Sequence, residues 1–92
     1  MLERDIGSAW LDAVREFPWF APLDHVRQDV VVNLIFNMGL ATLRQFKLML
    51  GALEHREWQA AAFELFNSRW CHQVGKERCQ DLTHALEYGR WD

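Results

Sequence analysis

Proline and cysteine are scarce in this chain, with two of each in 92 residues. Two cysteines are too few for a small secreted scaffold stapled by disulfides. Both prolines fall within FPWFAP (17–22), so the rest of the chain is free to run in helices. The five glycines (Gly7, Gly39, Gly51, Gly75 and Gly89) are scattered and build no glycine-rich phosphate cradle. No apolar run approaches the ~18 residues of a membrane span, since VVV and LIF are separated by Asn33. The opening MLERDIGSAW begins charged and lacks the apolar centre of a signal peptide. A net charge of −3 also argues against a phosphate-binding surface, so nucleic acid and membrane are not expected partners. What the chain does have is apolar surface: half its residues are apolar, 13% are aromatic and five are tryptophan. That is enough to offset chain entropy and exclude disorder, and 92 residues leave room for one core. The expectation is a single compact domain made in the cytoplasm.

Apolar residues recur at helical spacing. From Glu3 to Phe17, Ile6, Trp10, Ala13, Val14 and Phe17 share a face, and this helix stops before Pro18. FPWFAP reads as a turn whose aromatics cover a core edge. Asp24 is a good N-cap and Gly39 a good left-handed C-terminal residue for the next helix. Between them Val26, Val30, Val31, Leu34, Ile35 and Met38 form a stripe with Val32 and Phe36 beside it, so this helix is apolar around most of its girth and reads as central and buried. Leu40–Phe46 and Lys47–Leu53 read as two short helices or one bent one. Glu57–Phe66 is helical with Trp58, Ala61, Ala62, Leu65 and Phe66 inward. Ser68 caps a short turn through Val74, Gly75 breaks it, and a last helix runs from about Lys76 to Tyr88 and stops at Gly89. The fold class is therefore all-α, a compact bundle of about six to seven helices around a buried central helix.

Candidate chemistry is thin. Glu54, Glu57 and Glu64 lie close in sequence, yet Glu57 and Glu64 are seven residues apart, about 10.5 Å along one helix face. Glycosidase carboxyls stand roughly 5–9.5 Å apart across a cleft, and one helix face has no opposing wall. Cys71, His72, Cys79 and His84 offer zinc-type ligands without a C-x-x-C or H-x-x-x-H pair, so two small buried thiols are the simpler reading. A Cys71–Cys79 disulfide is open on loop length, and only geometry decides it. His25 and His55 sit on polar faces by helix starts, and the tryptophans read mostly as core.

Three segments carry a resemblance: LDHVRQDVVVNLIFNMG (23–39), FKLMLGALEHREWQAAAFELFNSRW (46–70) and EYGRW (87–91). In order and spacing they resemble the larger, helical C-terminal lobe of the phage-type lysozymes, the muramidase endolysins. Residues 2–22 resemble the helix that joins the family's two lobes and the turn after it. The resemblance implies one helical domain over 1–92, with 1–22 the connecting helix and turn and 23–92 a lysozyme-like lobe.

It also implies a role as the far wall of a glycan cleft. By position, Phe36 matches an aromatic of that wall and Asn37 the amide beside it. Trp70 matches a tryptophan behind that amide, Arg69 an arginine at the cleft mouth, and Arg78 an arginine that faces the catalytic Glu of the other lobe. Met49 and Glu64 stand where the type member has a serine and an asparagine on substrate. The structural alternatives are Phe36 and Trp70 as core, Asn37 as a local hydrogen bonder and both arginines as solvated surface. The family's catalytic Glu-Gly pair and Gly-rich hairpin have no match here, so no catalytic residue is carried over, and no metal or cofactor is implied. The partners implied are bacterial peptidoglycan or a separately supplied N-terminal lobe. The alternative is a non-catalytic binding module or a phage-encoded inhibitor of a host protein. A lobe made in the host cytoplasm would need another phage protein to reach the wall.

Overall fold

The computed structural model describes residues 6–91, with the backbone alone at Ile6, Gly7 and Lys76. The expected start of the first helix at Glu3 lies outside the described residues. Seven helices follow one another: α1 (Ile6–Glu16), α2 (His25–Met38), α3 (Leu40–Leu43), α4 (Lys47–Glu54), α5 (Trp58–Phe66), α6 (Arg69–Val74) and α7 (Lys76–Tyr88). Among the described residues there is no strand, and no helix is long and apolar enough to cross a membrane.

Each boundary has a local cause. In α1, Ala9 and Ala13 are buried one turn apart, and Phe17 continues their line after the helix ends. Pro18 stops the helix, and Phe17 and Phe20 then turn into the core while Trp19 stacks on Phe17 at 4.8 Å. The turn is tied by Gln28, whose Nε2 donates to the carbonyls of Phe20 and Ala21 at 3.2 and 3.0 Å, so a buried amide is satisfied. Asp24 caps α2 as expected, Oδ2 accepting from the Arg27 amide at 3.1 Å. Val30, Val31, Val32, Leu34 and Ile35 are all buried, because α1, α3 and α7 pack around α2.

Gly39 is not left-handed α: its φ of 88° is paired with ψ of 152°. The physical reason is that α3 begins at the next residue, so Gly39 both ends α2 and opens α3. Helix α4 closes with Arg56 at φ 60°, while the Glu57 amide donates to Ala52 O at 2.8 Å. This is the cap in which glycine is usual. Two expectations about burial fail. Phe66 is 47% exposed, because α4 and α7 flank α5 on the sides of Ala61, Ala62 and Leu65 and no other described helix packs closely on α5. Of the tryptophans only Trp70 is buried, while Trp19 and Trp58 are half-buried and Trp10 and Trp91 exposed.

Arg27 ties the start of α2 to the end of α7. Only 8% exposed, it donates from Nε to Leu86 O at 2.7 Å and from Nη2 to Glu87 O at 2.7 Å, both carbonyls of the last turn of α7. Nη1 pairs with Asp24 at 3.0 Å, and the guanidinium lies 3.9 Å from the centre of the Trp58 ring. Gly89 completes this end in the left-handed conformation (φ 73°, ψ 25°), and a Cβ there would sit 3.0 Å from Arg27 Nη1.

Two glycines should therefore respond with opposite signs to alanine. Gly89→Ala meets both a left-handed backbone and a tethered guanidinium, and is expected to cost about 2 kcal/mol of unfolding free energy. Gly51→Ala, inside α4 with open space around the new methyl, is expected to stabilise by about 0.5–1 kcal/mol. Chemical denaturation of both variants checks the pair; equal shifts would count against this account of Gly89.

Candidate functional site

The C-terminal end of α2, the start of α4, the end of α5 and α6 surround a hollow of about 800 Å³. Its lining includes Asn37, Met49, Glu64, Arg69 and Trp70, so four of the six sequence-predicted contact residues meet at one place. Met49, 1% exposed, forms the floor. Lys47, Leu48, Gln45, Phe46, Gln73 and Asn67 also line it and were not singled out from sequence. Lys47 to Met49 follow one another at the start of α4, which was the available signal for them.

Arg78 lies in a second hollow of about 630 Å³ between α2 and α7, with Asn33, Glu77, Asp81 and Trp91. The two hollows share Val74 and are linked by a hydrogen bond from Arg78 Nη1 to Asn37 Oδ1 at 3.3 Å. Asn37 is held for that contact, since its Nδ2 donates to Asn33 O, one helical turn back, at 2.7 Å. Phe36 lines neither hollow and is 53% exposed, so its reading as core is corrected. It follows Ile35, the last buried residue of α2, and points past the point where other helices cover this one. Asn33 escaped the sequence reading although it sits four residues before Asn37, on the same helix face.

The corner between α6 and α7 holds these side chains in place. Ser68 Oγ accepts from the Cys71 amide at 3.2 Å and starts α6, and Gly75, at φ 105°, turns the chain into α7. That reversal brings Cys71 and Cys79 to a Cα separation of 5.1 Å, and they form a disulfide. The reading as two separate thiols is thus corrected: both cysteines are buried, and Gly75 folds their helices face to face. Arg69 and Trp70 directly precede one half-cystine and Arg78 the other. Among the described residues no three potential metal ligands gather, and His72 and His84 are not drawn into a cluster with the bonded sulfurs.

The larger hollow has the mixed character that suits a saccharide or a sugar–peptide polymer. Apolar surface from Phe46, Leu48 and Trp70 can lie against ring faces, and the amides of Asn37, Gln45, Asn67 and Gln73 can meet hydroxyl and acetamido groups. Lys47 and Arg69 add positive charge and Glu64 the one carboxylate of its lining. Glu54 and Glu57 are exposed and do not line it, so no pair of carboxyls faces across the hollow. His25 and His55 are exposed on the surface.

No family model matches the chain. Among curated proteins, two from Dictyostelium discoideum described as "Probable T4-type lysozyme 1" and "Probable T4-type lysozyme 2" are each 39% identical to it over 67 residues. The matched region is 73% of this chain and 39% of each relative, so the chain spans well under half the length of the proteins it resembles.

The disulfide makes a prediction of its own. Closing so short a loop is expected to stabilise the lobe by about 2.5 kcal/mol through the unfolded state. Replacing both cysteines by alanine should lower the denaturation midpoint accordingly, and dithiothreitol should do the same to the parent chain. An unchanged midpoint in both would show that the bridge does not constrain the fold.

Proposed function

Proceeding from the relationship between this chain and the phage-type lysozymes over the part of their length that it spans, we propose that the 92 residues form the helical lobe of a peptidoglycan-degrading enzyme. In this reading the lobe supplies one wall of the glycan cleft. The observation that carries it is the convergence of Asn37, Met49, Glu64 and Arg69 on one hollow, with Arg78 joined to it through Asn37. The first four lie on four different helices, α2, α4, α5 and α6, yet they line a common, mixed apolar and polar surface.

The lobe binds and orients; it does not cleave. Glycoside hydrolysis of this kind needs a carboxylic acid to protonate the leaving oxygen and a second group on the other side of the sugar. Glu64 is the one carboxylate lining the larger hollow, and no Glu-Gly pair in the 92 residues matches the acid of the resemblance. In this reading the acid comes from outside these residues, and Arg78, by its match to the family's arginine, meets its carboxylate. The phage-type character of the parent protein rests on the sequence blocks, as the curated relatives are from Dictyostelium.

A second reading, a non-catalytic binding module, is favoured by the exposed Trp91 beside Glu77, Arg78 and Asp81 in the smaller hollow. Two measurements on the 92-residue chain separate the readings. It is expected to sediment with insoluble peptidoglycan, and Arg69→Ala is expected to weaken that retention about three- to tenfold, as for loss of one hydrogen bond at an exposed site. It is also expected to leave the turbidity of permeabilised Gram-negative cells unchanged. Clearing at enzyme-like concentrations would overturn the absence of catalysis, and failure to sediment would overturn the cleft-wall reading.

A further inference from the structure

The end of α5 carries an aromatic surface that the cleft does not absorb. Phe63 and Phe66, one helical turn apart, are 64% and 47% exposed. Together with Gln59, Asn67 and Glu87 they border a shallow hollow of about 400 Å³ floored by the buried Ala62. Asn67 lines this hollow and the larger one alike, so the two meet at the end of α5. Its Nδ2 is tied to Phe63 O at 2.9 Å, which leaves Oδ1 as an acceptor at the junction.

We propose that this hollow is an additional saccharide subsite, in which Phe63 and Phe66 stack on a sugar ring of a strand that continues from the cleft past Asn67. The proposal rests on the cleft-wall reading for the direction of the strand. The chemistry of the site favours a sugar: the electron-rich ring face attracts the C–H groups on one side of a pyranose. The carboxylate of Glu87 and the amides of Gln59 and Asn67 supply acceptors and donors for its hydroxyl and acetamido groups. Size points the same way. A protein partner or a second copy would need about 800 Å² on each side, far more than two phenylalanines at one helix end provide, whereas one or two sugar rings fit. The small residue at position 62 is what makes the surface concave, since any longer side chain there would fill the floor.

Soluble β-1,4-linked N-acetylglucosamine oligomers of increasing length are the probe, with binding read by calorimetry and by shifts of the amide resonances. Longer oligomers are expected to bind more tightly than short ones and to perturb Phe63, Phe66 and Glu87. The exposed Phe66→Ala and Phe63→Ala variants should keep the parent's denaturation midpoint. They should each lose about three- to tenfold in affinity for long oligomers, with short ones unaffected. Arg69→Ala should weaken oligomers of every length. Long-oligomer affinity unchanged in both phenylalanine variants overturns the subsite while leaving the cleft wall standing. Loss in those variants with none in Arg69→Ala overturns the cleft wall instead and leaves a saccharide site at α5. Perturbation of the phenylalanines only by added protein likewise overturns the subsite alone, and no binding by the unsubstituted chain at any length overturns both.

Discussion

The buried guanidinium of Arg27 is the interaction on which the lobe's arrangement depends. An α-helix ends with carbonyls that have no partner within it, and α7 ends against α2, where water does not reach them freely. Arg27 meets two of those carbonyls, its own charge is met by Asp24, and the flat face of the group is covered by Trp58. Three helices are thereby joined at a point, the start of α2, the start of α5 and the end of α7. A lysine could not do this, having no planar fork to serve two carbonyls and a carboxylate at once.

That point also sets the other end of the molecule. Helices α2 and α7 run antiparallel: Arg27 faces Leu86, and farther along Asn37 faces Arg78. From Arg27 to Asn37 is ten residues and from Arg78 to Leu86 eight, about 15 and 12 Å of rigid helix. The pair is thus closed at both ends, by buried hydrogen bonds at one and by an exposed amide–guanidinium contact at the other. The first is strong and belongs to the fold; the second is exposed and weak, and it lies between the two hollows. The buried tie and the two hollows therefore occupy opposite ends of the same two rods. The disulfide extends this logic, since it fixes α6 to the first turn of α7 and so holds Arg69 and Trp70 relative to Arg78.

What was legible in the sequence was local. The stop before Pro18, the caps at Asp24 and Ser68, the break at Gly75 and the stop at Gly89 all depend on residues within a turn of one another, and each is where the pattern put it, whereas the left-handed end expected at Gly39 is found at Gly89. The girdle of apolar residues on α2 was legible for a related reason, because only a surrounded helix can afford it. Features set by neighbours distant in the chain were not. An apolar face says that a residue is suited to burial, and says nothing of whether a neighbouring helix arrives to cover it; hence Phe36 and Phe66 stand exposed. The pairing of Cys71 with Cys79 follows from a chain reversal at Gly75 that spacing alone leaves open. Arg27 gave no signal beyond its i,i+3 relation to Asp24, as its true partners are about sixty residues away. Four of the six residues inferred from family resemblance do share a hollow, since resemblance carries tertiary information that periodicity lacks.

The exposed aromatics can now be separated by cause. A domain of this size buries a smaller share of its surface than a large one, so some exposed apolar area is unavoidable. Trp10 belongs to that background: it sits edge-on to Phe20 at 5.7 Å and caps a core already closed beneath it. Among the described residues Phe63 and Phe66 have no such partner ring, and they stand one turn apart over a floor that alanine keeps low. An aromatic pair that closes no core contributes little to folding, and on an acidic, charge-rich surface it is costly in solubility. The pair is therefore set apart from the aromatics that close the core, and Asn67 joins its hollow to the larger one, which is the geometry on which the proposed subsite rests.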